Sequence, residues 1–422
     1  MAVTGTNSTT TYANVLKKLY RPEVVESKIY ENNPTFARIR KINDFEGDGT
    51  YNVAVAVSNG QGVGPTVAIA LANRSADTYQ RFAVPMKDAY AVGSIDGKLI
   101  RMAKSSKGSQ APNALMRARD KNIKTLKRYM QHSLWSNGGG ALAQVSSIPT
   151  ATTIQLTDPN NVIWFEVGMI IQFSTADGTS GAVKANSFTV SAIDRDQGIL
   201  TFSANVNGGT GADPAVNDYM FRNGSFGLVY DGIPVYCPKT AASAATTLYG
   251  VTRATDIARL SGLRHETSQG ATIIECLLLA LARCAREGIE PDIAPMHPDD
   301  VQAMVLASQG QVQYTRNGVA GKLEVGFGGE SIKVISPTGL AVEVYPDPGV
   351  TKGDGWLLTS SAWEYHYAGG GFPELLQDDG VPMLRESADD TYTWRLCGLG
   401  NLCCVEPQGN MYYKMPLGKK EG

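Results

Sequence analysis

The sequence predicts an α+β fold with an inserted all-β subdomain. Three observations predict it. Apolar and polar residues alternate strictly from Thr50 to Ser58, one apolar stripe at helical period runs between Pro112 and Trp135, and helix and strand patterns alternate across residues 229–349. The 422 residues are ample for a large core and allow two to four domains at roughly 100 to 200 residues each.

Residues 1–43 begin with a Ser/Thr-rich tail and continue through Tyr12 to Tyr20, where Leu16 and Leu19 fall at helical spacing. Nothing in them makes a self-sufficient core, so they read as an arm that lies on something else. Residues 44–98 read as a long two-stranded excursion. Tyr51, Val53, Val55 and Val57 share one face, and Ser58 to Pro65 form a Gly-rich turn. Thr66 to Ala72 then reads as a returning extended stretch, and Arg81 to Met86 and Ala89 to Ile95 as further extended runs. Two strands are too few to be stable alone.

The long helix falls in residues 99–140. Pro112 suits its first turn, and Leu115, Ile123, Leu126, Met130 and Leu134 make its stripe. Asn137 and Gly138 to Gly140 stop it, which at about 1.5 Å per residue gives a rod of roughly 36 Å. In residues 141–228 charges are sparse and Gly, Ser, Thr and Asn dominate. Short β-favouring runs recur at Thr152 to Leu156, Met169 to Phe173, Ser187 to Ile193, Ile199 to Phe202 and Asp218 to Arg222, the spacing of a small all-β subdomain. Residues 229–349 hold a buried helix from Ala271 to Glu287 ended by Gly288, a second opened by Pro298 and reaching Ala307, and strands at Ser331 to Ile335 and Ala341 to Tyr345. Residues 350–422 are strands studded with Trp356, Trp363, Tyr365, Tyr367, Tyr392 and Trp394.

Charge is unevenly placed. The chain has 38 Lys and Arg against 40 Asp and Glu, yet residues 101–128 hold nine basic residues and one acid, a local +8 that leaves −10 elsewhere. A chain basic throughout is excluded, and 43% hydrophobic residues exclude wholesale disorder. Arg117, Lys121, Lys124, Lys127 and Arg128 are candidates for a surface that faces polyanion without reading its sequence; the competing explanation is a solvated helix face. Tyr129 and Trp135 are the aromatics beside these charges, too few for a stacking platform. Met1 to Ala13 has no basic n-region or apolar h-region, so synthesis in a cytoplasm is expected. The most apolar run, Ile273 to Ala285, is thirteen residues and contains Glu275 and Arg283, short of the about 20 apolar residues a membrane span needs. The six cysteines read as buried thiols.

No G-x-S-x-G, H-E-x-x-H, Walker-type or C-x-x-C motif occurs, and the four histidines, at 132, 265, 297 and 366, never fall at metal-ligand spacing. His297 reads as a helix cap, His132 as a packing or surface residue, and Asp378-Asp379-Gly380 as a turn. Gly60-x-Gly62-x-Gly64 is followed by Pro65 where a phosphate loop needs a helix N-terminus. A non-enzymatic protein with no catalytic residue, cofactor or metal is therefore expected. The alternative from another class is a carbohydrate-active hydrolase with a β accessory domain, in which Glu364, Glu374 or Asp378 beside Trp363 and Tyr365 supply paired carboxylates.

The order of arm, two-stranded loop, long helix, mixed domain and returning strands resembles the major capsid proteins of tailed bacteriophages, a fold shared with herpesvirus capsid floors and encapsulins. TLYGVTRATDIARLSGLR at 247–264, PDIAPMHPDDVQAM at 291–304 and WRLCGLGNLCCVEPQGN at 394–410 are similar in style. The resemblance implies an N-terminal arm at 1–43, an E-loop at 44–98, the spine helix of a P-domain at 99–140, an inserted β-rich subdomain at 141–228 and an A-domain at 229–349. Residues 350–422 then return to the P-domain and A-domain. It implies a virion protein, assembled in the host cytoplasm, that forms hexamers and pentamers of an icosahedral head shell around double-stranded DNA. The DNA contact is nonspecific, no cofactor or membrane is involved, and a scaffolding protein, a portal and decoration proteins are partners. Because a two-stranded loop cannot cover its own apolar face, Tyr51, Val53, Val55, Val57, Arg74 and Arg81 become the candidate intersubunit residues. An encapsulin-like compartment would keep the fold and change the contents, and a tail or baseplate component is a further alternative.

Overall fold

The computed structural model describes residues 33–45, 49–98, 111–243, 246–266, 272–308, 332–335, 339, 341–376, 383–387 and 389–415, with the side chains of 111–119 excepted. The expected helix at Tyr12 to Tyr20 and the turn at Asp378 to Gly380 lie outside these residues.

A short helix α1 (Pro34–Arg38) leads through β1 (Arg40–Asn43) into β2 (Thr50–Ser58), which pairs antiparallel with β3 (Thr78–Pro85) as a ribbon. Between the two strands, Thr66 to Ala72 is not the returning extended stretch that was expected. It is a helix, α2 (Val67–Ala72), started by the Thr66 hydroxyl, which accepts from the Ile69 N–H at 3.4 Å. A local cap wins here because no partner strand is present to reward the extended form. β4 (Lys87–Asp96) follows, and then the predicted long helix, α3 (Ala111–Leu134).

The β-rich stretch after α3 is a closed six-stranded barrel. It is built from β5 (Ala143–Thr150), β6 (Thr153–Leu156), β7 (Ile170–Ser174), β8 (Ser187–Asp194), β9 (Ile199–Phe202) and β10 (Tyr219–Arg222), in spatial order β10-β5-β6-β9-β8-β7. Its interior is filled by Val145, Ile154, Phe165, Ile171, Phe173, Leu200 and Phe202, with Phe173 and Phe188 edge to face at 5.9 Å. Closure leaves no bare sheet edge. β5 is the strand that the sequence hides, because Ser146, Ser147 and Pro149 dilute its pattern.

Beyond the barrel come α4 (Ile233–Tyr236), the small pair β11 (Thr247–Leu248) and β12 (Val251–Thr252), α5 (Ile257–Ser261) and β13 (Leu263–Glu266). Next are α6 (Ile273–Arg286), β14 (Ile293–Met296), α7 (Pro298–Ser308), β15 (Ile332–Ile335) and β16 (Ala341–Pro346). The chain ends with β17 (Asp354–Leu357), β18 (Trp363–Tyr367), β19 (Glu374–Leu375), β20 (Leu384–Arg385), β21 (Thr391–Cys404) and β22 (Met411–Lys414).

Helix α6 shows why this region folds as predicted. Thr272 and Glu275 form a reciprocal capping box, and those hydrogen bonds hold the Glu275 carboxyl below the usual carboxylate range. Cys276, Leu277, Ala280, Leu281 and Cys284 make its buried face. Gly288 follows its end with a φ of +75°, a conformation that favours glycine.

Two sheets carry the rest. The first runs β1-β18-β21-β19, with β20 and β4 also on β21; the second runs β13-β22-β17-β14-β16-β15. β4 and β21 pair from Asp96 opposite Thr391 to Lys87 opposite Gly400. The C-terminal segment therefore supplies inner strands of both sheets, β18 and β21 in one, β17 and β22 in the other. Helix α3 lays Ile123, Leu126, Met130 and Leu134 into the core of the first sheet, and Trp135 packs on Trp356 with ring centroids 5.0 Å apart. All six cysteines are buried and free. Burial pushes the thiols of Cys237, Cys284 and Cys403 up to about 12, which keeps them protonated and unreactive.

Candidate assembly surfaces

The ribbon corrects one expectation. Val53, Val55 and Val57 on β2, with Phe82 and Val84 on β3, are buried in the chain's own main core. Phe82 meets Tyr249 edge to face at 6.0 Å, and the Arg259 guanidinium donates to the Val57 carbonyl at 2.9 Å. Tyr51, half-buried, stacks on His366 at the ribbon base. The apolar face that looked too large for a two-stranded loop is thus covered by residues some 200 positions later in the sequence, so a neighbouring copy does not have to cover it. Arg74 and Arg81 are exposed.

What lies uncovered is the tip. Val63, Val67 and Leu71 are 83%, 77% and 62% exposed, and α2 has no buried residue. The tip is nevertheless ordered by polar bonds across it. Asp77 accepts from the Gly60 N–H at 2.5 Å, the Ser75 hydroxyl accepts from the Gln61 N–H at 2.8 Å, and the Asn73 amide donates to the Val63 carbonyl at 3.1 Å. The tip thus presents ordered apolar side chains that this chain leaves exposed. The sequence signal for it was VAIALA between two polar turn segments.

On α3, Lys121 and Lys124 are exposed on the side away from the apolar stripe, whereas Lys127, four residues after Ile123 and three before Met130, is half-buried beside it. Arg128 is exposed but engaged, its guanidinium paired with Glu166 on the barrel, which Arg195 also approaches at 3.9 Å. Of the four candidates from Lys121 onward, Arg128 is thus taken up by the barrel, and the side chain of Arg117 lies outside the described ones.

The residues weighed for chemistry are taken up in packing. Glu364 holds His366 Nε2 at 3.2 Å and faces Arg40 at 3.4 Å, and Glu374 accepts from the Gly370 N–H at 2.9 Å. Asp378 lies outside the described residues. His297 Nδ1 accepts from the Asp299 N–H at 3.2 Å and so caps α7. His132 sits edge-on to Trp164 at 5.2 Å with Nε2 3.1 Å from the Ala141 carbonyl, and burial lowers its pKa to about 4. A cleft of about 840 Å³ opens between the barrel, the end of α3 and the second sheet. Two of its cations are already paired, Lys239 with Asp354 at 2.6 Å and Lys352 with Asp299 at 2.9 Å. Among the described residues no three His, Cys, Asp or Glu are grouped to hold a metal, and no helix is long and apolar enough to cross a membrane.

No family model and no curated protein matches the sequence. Among solved structures, the chain is similar to one in the cyanophage A-1(L) capsid asymmetric unit, with a TM-score of 0.52 and 13% identity over 91% of this chain and 93% of that one. It also matches the capsid of a native GTA particle at a TM-score of 0.44 and 9% identity, over 99% and 95% of the two chains. An encapsulin complex from Synechococcus elongatus PCC 7942 matches at 0.41 and 10%, over 91% and 88%. The first of these carries the likeness, and at 13% identity it is a likeness of fold.

Proposed function

We propose, from a fold shared with a phage capsid chain over nine-tenths of its length, that this protein is a structural shell subunit. In this reading it assembles as hexamers and pentamers into an icosahedral head around double-stranded DNA. The single observation that carries the reading beyond fold is the ribbon tip, ordered by hydrogen bonds yet with Val63, Val67 and Leu71 uncovered by the chain itself. A second copy supplies the missing cover, and repetition of that contact around symmetry axes closes a shell.

The elements then take the roles the resemblance implies. The ribbon is the E-loop, α3 the spine of a P-domain formed with the first sheet, the barrel an inserted subdomain, and the second sheet with α6 and α7 the A-domain. Lys121, Lys124 and Lys127 face packaged DNA without reading its sequence. A scaffolding protein, a portal and decoration proteins complete the assembly, which resides in the virion after synthesis in the host cytoplasm.

Negative-stain electron microscopy of the purified full chain tests this. Uniform closed particles, or rings of six and five, are expected. A monodisperse monomer across protein concentration and ionic strength overturns it. Particles that hold protein cargo and no nuclease-protected DNA overturn the genome role while leaving the shell.

A further inference from the structure

Arg253 is only 3% exposed, yet it lines the cleft between the barrel, the end of α3 and the second sheet. It opens the short turn after β12, where its main-chain N–H donates to the Thr246 carbonyl at 3.1 Å. In the side chain, Nη2 donates to the Val235 carbonyl of α4 at 2.5 Å, and Nε is enclosed without an acceptor. A guanidinium carries five N–H donors and does not shed its proton, so a single carbonyl leaves most of them unanswered.

Negative charge is what the site lacks. Among the described residues no carboxylate pairs with Arg253, whereas Lys239 and Lys352, the other Lys and Arg side chains of the cleft, each hold an aspartate. The titratable groups that face the guanidinium are Tyr249, Cys237 and Tyr236. Burial keeps all three protonated, pushing the thiol up to about 12 and both phenols well above their ordinary value. Tyr249 moreover donates its proton to Asp231 at 2.8 Å. The two carboxylates that line the cleft belong to local turns, where Asp158 accepts from the Asn160 N–H at 3.0 Å and Asp177 from the Thr179 N–H at 3.1 Å. A buried charge without a partner is costly, and an anion that enters from the cleft removes the cost.

We propose that the cleft binds a small organic molecule by its carboxylate or phosphate group, held by the Arg253 guanidinium. Both groups present paired oxygens that fit the planar fork of an arginine. The volume of about 840 Å³ lies within the roughly 300 to 1,000 Å³ of small-molecule sites. Trp135 and Trp164 also line the cleft and offer aromatic surface to the body of such a ligand. The site depends on the fold of one chain and on no mode of assembly, so it stands or falls apart from the shell reading.

Isothermal titration calorimetry of the purified full chain tests the site, with inorganic phosphate in one arm, acetate in the other and chloride holding the ionic strength constant. Uptake of one anion per chain is expected, with half-saturation on the order of 1 mM for a fragment of this size. Binding in the phosphate arm alone assigns a phosphate ligand, in the acetate arm alone a carboxylate, and in both an oxyanion read by its fork geometry; each supports the site. Arg253→Gln should weaken uptake by at least about tenfold. Thr247→Glu keeps the test decisive if that variant does not fold. Thr247 is exposed and lines the same cleft, and a glutamate there repels the anion or pairs with Arg253 in its place, again weakening uptake by about tenfold. A wild-type chain that takes up neither anion overturns the proposal. So does uptake that both variants keep, which would place the anion elsewhere, as on the lysines of α3.

Discussion

Tyr51 lies flat on His366, with ring centroids 3.5 Å apart and planes 21° from parallel. The contact joins the base of the ribbon to β18 of the first sheet, and Glu364 fixes the imidazole from the same strand at 3.2 Å. A ribbon of two strands owes its direction to contacts of this kind rather than to its own pairing.

Tyr51→Ala removes both the stack and the ring's packing, a loss of about 2 kcal/mol when an aromatic pair and its buried area are combined. Tyr51→Phe keeps both and should melt within about 0.5 kcal/mol of wild type. Thermal melts of the dissociated chain at neutral pH distinguish the two. Equal melting of the alanine variant and wild type would remove the stack from the account of ribbon placement.

His132 makes the junction of α3 and the barrel sensitive to acid. Burial of its ring lowers the folded pKa to about 4 from an ordinary 6.5, with Arg222 adding repulsion and the Ala141 carbonyl opposing both. The unfolded chain therefore binds the proton first as pH falls. The stability from the neutral ring is complete above 6.5, is lost as pH drops through that window, and levels off below about 4. The loss is on the order of 3 kcal/mol. Urea titrations at pH 7 and pH 4.5 should show a steeper fall in wild type than in His132→Phe, which keeps an edge for Trp164 and has nothing to protonate. Parallel profiles would count against the assignment.

The elements most legible in the sequence were those whose signal is local. Ile123, Leu126, Met130 and Leu134 point to one side of a helix wherever it packs, and Thr272 with Glu275 starts α6 through its own backbone. Strand pairing has no such signal. Nothing near Val53 to Val57 says that Tyr249 and Arg259 will cover them, and nothing near Arg128 says that Glu166 will pair with it. The apolar alternation marks a face that the chain buries for itself, and the exposed apolar tip lies inside a stretch whose sequence reads as strand. The Thr66 cap was the one local clue to the tip helix.

If α3 faces packaged DNA, the exposed pair Lys121 and Lys124 should act on retention and not on assembly. Each phosphate contact removed lowers the slope of log affinity against log salt by about 0.9. Lys121→Glu with Lys124→Glu should give particles of wild-type size that release nuclease-protected DNA at lower salt. Neither residue packs in the core, so the melting of the unassembled chain should move by less than about 0.5 kcal/mol. Wild-type salt dependence of DNA retention in such particles would assign the row to a solvated helix face.

The ribbon tip separates folding from assembly most cleanly. Val67 and Leu71 are exposed in the chain, so Val67→Glu with Leu71→Glu removes nothing from the monomer's core. In an assembled contact each side chain would bury apolar area worth about 1.5 to 3 kcal/mol, and a glutamate there would add the cost of a desolvated charge. The contact repeats in every subunit of a closed shell, so a loss of a few kcal/mol per copy is multiplied across the assembly. The double variant should therefore melt like the wild-type monomer yet sediment as monomer under conditions where wild type forms particles. Substituting Val53 instead should have the opposite signature, since its side chain lies in the chain's own core: Val53→Glu lowers the melting temperature first and prevents assembly only as a consequence. Particles formed by the tip variant with wild-type yield would show that the tip is not the surface that joins subunits.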